Sequence, residues 1–449
     1  MEQQQHMFTN RMIRNLLIPV VLEQLLNSIM GTADTMMVSN VGSAAISAVS
    51  LVDSINVLVI QAFSALAAGG AIVCAQYIGQ RKKEKANESA RQVLFIITAI
   101  SVAVSLICLV FQKPLLRLIF GSVEAEVMRA SEVYFFYTAL SFPFIAAYDS
   151  AASIFRAQDN TRGPMTISMI SNVMNIAGNA IMIWVFHMGV AGAALSTLIS
   201  RIFCAVVVLI QLRKEREGQE IVVRDYFKIR PNWSMIKRIL GIGIPSGVEN
   251  SMFQLGKIAV LSLVSGLGTA SLAANAVSNN IANFAILPGM SFGFALLTVC
   301  AQCVGAGDFE QVKYYTKHMM RVEYLCLIAS NLLVILSLPF ILSIYNLSDE
   351  AAMYTNDIIL YHAACVVTIW PLSFTLPNTL RAAADVKVTM ILSIISMWVF
   401  RFGFSYLLTM EFHMGIFGVW VAMTIDWLVR GIFFVCRYKS GRWQKIIFS

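Results

Sequence analysis

The chain has 449 residues, of which 58% are hydrophobic and only 13% are charged, whereas about a quarter of the residues of an ordinary soluble domain are charged. This composition excludes a soluble globular protein and leaves no room for a sizeable soluble domain. The net charge of +8 does not indicate a nucleic-acid partner, because the basic residues lie in short connections between apolar segments rather than in one patch.

Apolar segments of about 20 residues recur along the whole chain, and each is long enough to cross a hydrocarbon core of about 30 Å as a helix. We therefore predict an all-α integral membrane protein with twelve transmembrane helices. They cover residues 15–38, 50–78, 92–112, 131–154, 163–186, 191–211, 239–264, 277–303, 322–344, 358–380, 388–410 and 415–436. The first segment has a repeat partner later in the chain, so we interpret it as part of the fold and not as a signal peptide.

The distribution of Lys and Arg predicts the sidedness of the protein. Every connection after an even-numbered segment is basic, as in RKKEK (81–85) and RKER (213–216). The odd-numbered connections are poorer in Lys and Arg, although Lys113, Arg117 and Arg129 weaken the contrast after the third segment. Because basic loops stay in the cytoplasm, we expect both termini to be cytoplasmic in a multi-pass protein of the cytoplasmic membrane.

The two halves of the chain are related by an internal repeat. Residues 18–84 align without a gap to residues 244–310 at an offset of 226, and FHMG at 186–189 recurs at 412–415. We predict two six-helix lobes with the same orientation, related by a pseudo-twofold axis along the membrane normal, which is typical of secondary transporters. The predicted boundaries are an N-terminal lobe at 1–211, a solvated cytoplasmic linker at 212–238, and a C-terminal lobe at 239–449 that ends in a short basic tail.

The first predicted helix carries a stripe of polar residues. Glu23, Asn27 and Asp34 are spaced i, i+4 and i+11, which places them on one face of a helix. A carboxylate near the bilayer centre costs about 2.5–3.5 kcal/mol by insertion scales, so such a residue usually faces a cavity and binds an ion or proton. We predict this role for Asp34; the alternative is a position at the outer interface, where water stabilises its charge.

Other polar residues within the apolar segments are weaker candidates for a cavity. Glu23 and its repeat partner Glu249 each lie four residues after a proline, where the helix start and cytoplasmic water also favour an acid. Lys257 replaces the repeat counterpart of Gly31 and could contact a substrate or carboxylate, or extend its amine to the interface. We expect four further charged residues to pair within a lobe or line the cavity rim: Asp149, Arg201, Arg401 and Asp426.

Asn175 and Asn179 form an i, i+4 pair in the fifth segment. Their amide oxygens would suit a small hard cation, but they would equally suit hydrogen bonds between helices. The chain has no GxxxxGK[ST] loop for ATP hydrolysis, and the connections between its apolar segments contain no HExxH or GxSxG motif. We therefore predict that the protein is not an enzyme and that an ion gradient or a partner supplies its energy.

Several motifs resemble those of the multidrug and toxic compound extrusion (MATE) transporters, and the resemblance covers essentially the whole chain. The motifs are Pro19 with GTADTMMVSNVG (31–42), RAQDNTRGPM (156–165), NIAGN (175–179) and GVAGAALSTLISR (189–201). The resemblance implies a cation-coupling site for Na+ or H+ in the N-terminal lobe, with ligands from the first, fifth and sixth helices. The matching residues here are Asp34, Asn175, Asn179 and Thr197.

The chain also departs from that family at particular positions. Asn179 departs from the DinF-like branch, in which the second residue of the pair is Asp. NorM-like members carry acids deeper in the seventh helix and in the tenth, but this chain has Phe253 and Gln254 in the seventh and no acid in TIWPLSFTLPNTL (368–380). The resemblance therefore implies a cation site in the N-terminal lobe, and residue matching assigns none in the C-terminal lobe.

The resulting hypothesis is a monomeric, cation-coupled antiporter that exports organic cationic or amphipathic compounds by alternating access. The first helix would bend near Pro19 when the cation binds, and no cofactor is expected besides the coupling Na+ or H+. The alternative is a flippase for a lipid-linked saccharide, which predicts a strongly cationic central cavity and a lateral gate to the lipid. A membrane-embedded enzyme and a channel are the other classes that the sequence leaves open.

Overall fold

The computed structural model describes residues 6–39, 41–121, 123–215, 219–224, 226, 229–345 and 347–445. Within these ranges, the side chains of residues 30–35, 39 and 43 lie outside the description. The described chain is helical and contains no strand. It forms two compact units, an N-terminal unit of Arg14–Gly247 and a C-terminal unit of Val248–Ser449 with the described part of Met1–Ile13.

The N-terminal unit consists of the first eight helices and the start of the ninth. They are α1 (Asn10–Ser39), α2 (Ser43–Gly79), α3 (Lys83–Val110), α4 (Gln112–Phe120), α5 (Ala125–Leu140), α6 (Phe142–Ala157), α7 (Arg162–Ala180), α8 (Gly189–Arg213) and α9 (Trp233–Ser265). A π-helical turn at Ile181–Val185 extends α7. Both α1 and α9 continue through a proline, Pro19 and Pro245.

The C-terminal unit consists of the rest of α9 and eight further helices. They are α10 (Thr269–Gly305), α11 (Phe309–Tyr345), α12 (Asp349–Val366), α13 (Trp370–Phe374), α14 (Leu376–Ala382), α15 (Val386–Ile395), α16 (Phe404–Tyr406) and α17 (Gly415–Lys439). Ser396–Gly403 and Leu407–Glu411 are π-helical, and Arg442–Lys445 forms a 3-10 turn.

Helices occupy all twelve segments predicted from the sequence. Nine of the described helices are individually long and apolar enough to cross a membrane, and α12 with α13–α14, bent by 67°, makes a tenth if this pair is one span. The fourth predicted segment corresponds to the short helices α5 and α6, and the seventh lies within α9. Pro371 and Pro377, each in the first turn of its helix, account for the interruptions of the tenth segment, because proline lacks a backbone donor.

The internal repeat is also present in the backbone. Helices α2 and α10 both have 37 residues, and their bounds differ by the offset of 226 found in the sequence. The same offset relates the bounds of α8 to those of α17. His187 and His413 share a left-handed φ of 53°, an unusual conformation for a residue other than glycine. The two halves therefore repeat one fold, including its irregular turns.

The unit boundaries differ from those expected from the sequence in two places. Residues 6–13 belong to the C-terminal unit, where Tyr315 Oη lies 2.7 Å from the amide of Phe8. The expected linker, 212–238, belongs to the N-terminal unit. Its described part was expected to be a solvated loop, but Ile221 is buried and its amide donates to Gln158 Oε1 at 2.9 Å. Apolar residues in this segment explain the difference, because they bury against the helices beside them.

Candidate functional site

Asn27 connects the first helix of the N-terminal unit to α7. Its Oδ1 accepts hydrogen bonds from Asn172 Nδ2 at 2.9 Å and from Ser168 Oγ at 3.2 Å. Polar side chains on facing apolar helices can bond to each other in this way, since lipid offers them no alternative partner. Asn27, expected to line a cavity, thus also holds α1 against α7.

The predicted ligands on the fifth and sixth helices lie side by side. Asn175 Nδ2 donates to Thr197 Oγ1 at 3.2 Å, and Ser196 Oγ donates to the backbone oxygen of Asn175 at 2.9 Å. Asn175 and Asn179 are both buried, one turn apart on α7. The structure therefore brings Asn175 and Thr197 together, although their positions in the sequence are 22 residues apart.

Asp34 lies in the penultimate turn of α1, and its side chain is outside the described residues. The position of this part of α1 is given by the next turn, where Val38 packs in one cluster with Ile183 and Ala193. Ala193 precedes Thr197 by one turn of α8, and its carbonyl accepts a hydrogen bond from Thr197 Oγ1 at 3.0 Å. The end of α1 that carries Asp34 thus packs beside the Asn175–Thr197 pair.

Each of the two glutamates related by the repeat has an arginine partner within its own unit. Arg156 Nη2 lies 3.3 Å from Glu23 Oε1, and Arg381 Nη2 lies 2.7 Å from Glu249 Oε1. Both glutamates are buried, and the arginines occupy equivalent positions in the repeated stretches IFRA (154–157) and TLRA (379–382). A buried carboxylate without a counter-charge would be strongly destabilising, so these pairs explain how both acids are tolerated. A role in a substrate cavity stays a prediction.

Three positively charged side chains surround one aromatic ring in the C-terminal unit. Lys257 Nζ lies 5.2 Å from the ring centroid of Phe253, and the guanidinium carbons of Arg401 and Arg430 lie 5.3 and 5.6 Å from it. A close approach at Gly256 fixes this arrangement, because a Cβ atom there would lie only 2.7 Å from Cγ of Met397. We name Lys257, Arg401 and Arg430 the cationic cluster.

Two acids of the C-terminal unit are fully buried, and both contact hydroxyl groups. Asp426 Oδ1 accepts from Ser396 Oγ at 2.5 Å, while its other oxygen lies 3.6 Å from Arg430 Nη2. Glu323 Oε1 accepts from Thr375 Oγ1 at 2.6 Å. Sequence reasoning singled out neither Arg430 nor Glu323. The available signals were an Asp and an Arg four residues apart in the twelfth segment, and an acid at the start of the ninth.

The donor set at the Asn175–Thr197 pair fits a hard cation better than a transition metal. Amide and hydroxyl oxygens are typical ligands of such ions, whereas His and Cys ligands are not present in this group. Within the described part of the chain, no cluster of three or more His, Cys, Asp or Glu side chains could hold a metal ion.

Comparisons with known proteins agree with this geometry. The MatE family model matches residues 19–181 and 245–407, once in each half. The probable multidrug resistance protein YoeA of Bacillus subtilis is 26% identical, covering 96% of this chain and 93% of the relative. For the probable multidrug resistance protein NorM of Thermotoga maritima the identity is 24%, with coverage of 96% and 92%.

A solved structure also shares the fold. It is the outward-facing conformation of a multidrug resistance MATE family transporter of the MOP superfamily, which superimposes with a TM-score of 0.89 at 20% identity. The match covers 97% of this chain and 96% of that one. This likeness shows that the helices of the two proteins are arranged in the same way along nearly their whole lengths.

Proposed function

Because this chain belongs to the MATE family of multidrug transporters, we propose that it is a cation-coupled antiporter that exports organic cationic or amphipathic compounds. Members of this family are multi-pass membrane transporters and not enzymes, so the chain is a multidrug-type efflux transporter. The coupling ion and the substrates are part of the proposal. The observation that carries it is the Asn175–Thr197 pair, packed beside the turn of α1 that contains Asp34.

In the proposed cycle, Na+ or H+ enters from outside and binds at the four predicted positions, Asp34, Asn175, Asn179 and Thr197. The ion neutralises the acid, so the balance between the outward-open and inward-open states changes and the substrate is released outside. The ion drives transport only because it binds the two states with different affinity. Amide and hydroxyl oxygens beside a carboxylate support this role, since Na+ prefers oxygen ligands.

The first helix supplies the proposed moving element. Pro19 has no backbone N–H, so α1 lacks one hydrogen bond at that position and bends there at lower cost than elsewhere. Neutralising Asp34, farther along the same helix, would favour a different packing of this segment. A bend at Pro19 remains part of the proposal, since α1 is one continuous helix here.

We further propose a monomer in the cytoplasmic membrane, with both termini in the cytoplasm. The basic connections after the even-numbered helices support this orientation. The proposed lobes of the transporter are 1–211 and 239–449. The described part of residues 212–238 belongs to the compact N-terminal unit.

The experiment is an efflux assay in liposomes, with sodium and pH gradients imposed separately while a cationic dye is followed. We expect Asp34→Asn to reduce gradient-driven efflux to the level of protein-free liposomes, because an amide carries no charge for the ion to neutralise. Asp349→Asn is the matched control, since Asp349 is an exposed acid at the start of α12, and efflux should be unchanged. Efflux that persists in Asp34→Asn would show that another residue couples the ion.

A further inference from the structure

The C-terminal unit contains more positive than negative charge around Phe253. The three members of the cationic cluster are within 5.6 Å of its ring centroid, and Asp426 is the acid that contacts one of them, Arg430. Glu323 accepts its hydrogen bond from Thr375 and makes no ion pair with a described side chain. Three cations with one close acid leave an excess of two positive charges inside a membrane protein, where uncompensated charge is costly.

The buried arginines also have N–H groups without an acceptor. Among the described residues, no acceptor lies within hydrogen-bond distance of Arg401 Nε or Arg430 Nε, while Arg430 Nη2 has Asp426 at 3.6 Å. Arg401 is 9% exposed and Arg430 is 4% exposed, so bulk water does not replace the missing partners. The indole nitrogen of Trp427 is another buried donor without an acceptor in the same part of the structure. Buried donors without an acceptor are costly, and more so when they are charged.

The aromatic rings contact the flat faces of the guanidinium groups but provide no acceptor for the N–H bonds at their edges. Arg430 lies 4.4 Å from the ring centroid of Phe374 and also faces Phe253. Such a cation–π contact uses the flat face of the guanidinium, whereas its N–H bonds point outward in the plane. A carboxylate, sulfonate or phosphate accepts from that edge in a bidentate arrangement, for which arginine is well suited.

The repeat shows that this charge is specific to the second half of the chain. At the offset of 226, the counterparts of Lys257, Arg401 and Arg430 are Gly31, Asn175 and Cys204, which are all uncharged. Arg401 thus occupies the position that in the first half belongs to Asn175, a predicted cation ligand. The counterpart of Asp34 is Val260, which is buried in the apolar core. The two copies of one fold therefore differ in charge at equivalent positions.

The cluster is accessible through Lys257. This side chain is exposed, and no described acid lies within ion-pair distance of it. Its amine nevertheless approaches the ring that Arg401 and Arg430 contact from the interior of the unit. Lys257 therefore connects the surface of the unit to the two buried arginines through the Phe253 ring, which all three side chains contact.

We propose that Lys257, Arg401 and Arg430 bind an anionic group, a carboxylate, sulfonate or phosphate, of the transported compound. The apolar part of that compound would lie against Phe253 and Phe374. This inference rests on the proposed transport function and specifies, among its amphipathic substrates, compounds that carry an anionic group, zwitterions included. The anion could belong to a soluble compound or to a lipid headgroup, and the experiment separates these sources.

The binding test uses three probes with the same pyrene body and a four-carbon chain ending in a carboxylate, a hydroxyl or a trimethylammonium group. Energy transfer from tryptophan to pyrene in the purified, detergent-solubilised protein reports binding. We expect the carboxylate to bind about 10- to 100-fold more tightly than the hydroxyl probe, as for hydrogen bonds to charged groups. Equal affinities, or a preference for the trimethylammonium, would overturn the proposal.

Variants then assign the preference to the cluster. Lys257→Gln and Arg401→Gln should each remove most of the carboxylate preference, whereas Arg401→Lys, which retains the charge, should keep part of it. Lys387→Gln is the matched control, because Lys387 is an exposed lysine at the start of α15. Arg430 is not replaced, because its replacement would leave the buried Asp426 without a counter-charge. A preference that survives both glutamine variants would overturn the proposal.

Two further measurements identify the source of the anion and distinguish the anion site from the proposed antiport. If phosphatidylglycerol displaces the carboxylate probe and naphthalene sulfonate does not, the site binds a lipid headgroup, as a lipid-linked flippase requires. If only naphthalene sulfonate displaces the probe, the site binds a soluble amphipathic anion. Asp34→Asn should abolish coupled efflux while leaving probe binding intact. Coupled efflux without carboxylate preference refutes only the anion site, and carboxylate preference without coupled efflux refutes only the antiport.

Discussion

At the residue scale, the buried charges of this protein depend on partners that are distant in sequence. Glu249 and Arg381 are 132 residues apart and meet at 2.7 Å, and Glu23 and Arg156 are 133 residues apart. Sequence analysis identified both glutamates as unusual but did not predict their arginines. The pairs show how an intramembrane acid is stabilised by a counter-charge within its own unit.

The Glu249–Arg381 pair leads to a prediction about stability. Arg381→Met should lower the free energy of unfolding by about 3–5 kcal/mol, because it leaves a buried carboxylate without a counter-charge. The double variant Glu249→Gln with Arg381→Met should cost less than the sum of the single variants, since it leaves no buried charge. Denaturant unfolding of the solubilised protein measures both quantities.

The control for these variants is an exposed ion pair with the same distance between nitrogen and oxygen. Lys313 Nζ lies 2.7 Å from Glu310 Oε1 at the start of α11, and both side chains are exposed. Lys313→Met should therefore change the free energy of unfolding by no more than about 1 kcal/mol. If Arg381→Met and Lys313→Met lowered the free energy of unfolding equally, burial would not determine the strength of these pairs.

At the scale of the elements, the tenth segment is the least regular span of the described chain. Its 67° bend separates α12 from α13–α14. At this bend Trp370 is buried in the largest described apolar cluster of the C-terminal unit, and it stacks on Phe374 with 4.9 Å between the ring centroids. Phe374 in turn lies under Arg430. The bend therefore positions an aromatic surface beside the cationic cluster.

Gly289 of α10 makes room for this bend. A Cβ atom there would lie within 2.9 Å of Cε3 and Cη2 of Trp370. Gly289→Ala should therefore lower the free energy of unfolding by about 1–3 kcal/mol, as overpacking does, and Trp370→Phe in the same chain should recover part of the loss. Gly241→Ala in α9 is the control: no atom lies within 4 Å of its Cβ position, so the alanine should stabilise the helix by about 0.5–1 kcal/mol.

Thermal or denaturant unfolding of the three variants tests the packing at Trp370. A Gly289→Ala protein as stable as the parent would mean that the Trp370 ring moves freely, and the aromatic surface beside Arg430 would then not be fixed by packing. A loss in Gly241→Ala would instead indicate a general cost of alanine in these helices.

At the scale of the whole molecule, the chain is two copies of one six-helix fold with different polar interiors. The first copy carries Gly31, Asn175 and Cys204 at the positions where the second carries Lys257, Arg401 and Arg430. Such a division would let one unit bind the coupling cation while the other binds the transported compound. The two units thus have the same fold but different side chains at equivalent positions.

The proposed orientation of the molecule is tested by labelling with a membrane-impermeant maleimide. The exposed native Cys436 is first replaced by serine, and a cysteine is then introduced by Glu350→Cys or Lys387→Cys, both at exposed positions. In right-side-out vesicles we expect only the Glu350→Cys protein to be labelled, because the connection after the ninth segment should be outside and the one after the tenth should be cytoplasmic. The reverse pattern would place both termini outside.

The sequence by itself determined the class of protein, the positions of the spans, the repeat and the family. These properties depend on local hydropathy and on similarity between stretches of chain, which need no knowledge of contacts. It also identified Asn175 and Thr197 through the resemblance, and the structure confirms that they touch. The role predicted for Asp34 stays a prediction, since its side chain lies outside the described residues.

Only the tertiary structure decided which charged residues face one another. The arginine partners of Glu23 and Glu249, the contact of Glu323 with Thr375, and the cationic cluster around Phe253 all join helices that are far apart in sequence. Their helices are apolar on most faces, so periodicity does not show which face turns inward. Packing contacts such as those of Gly256 and Gly289 set these orientations, and they exist only when the helices are brought together.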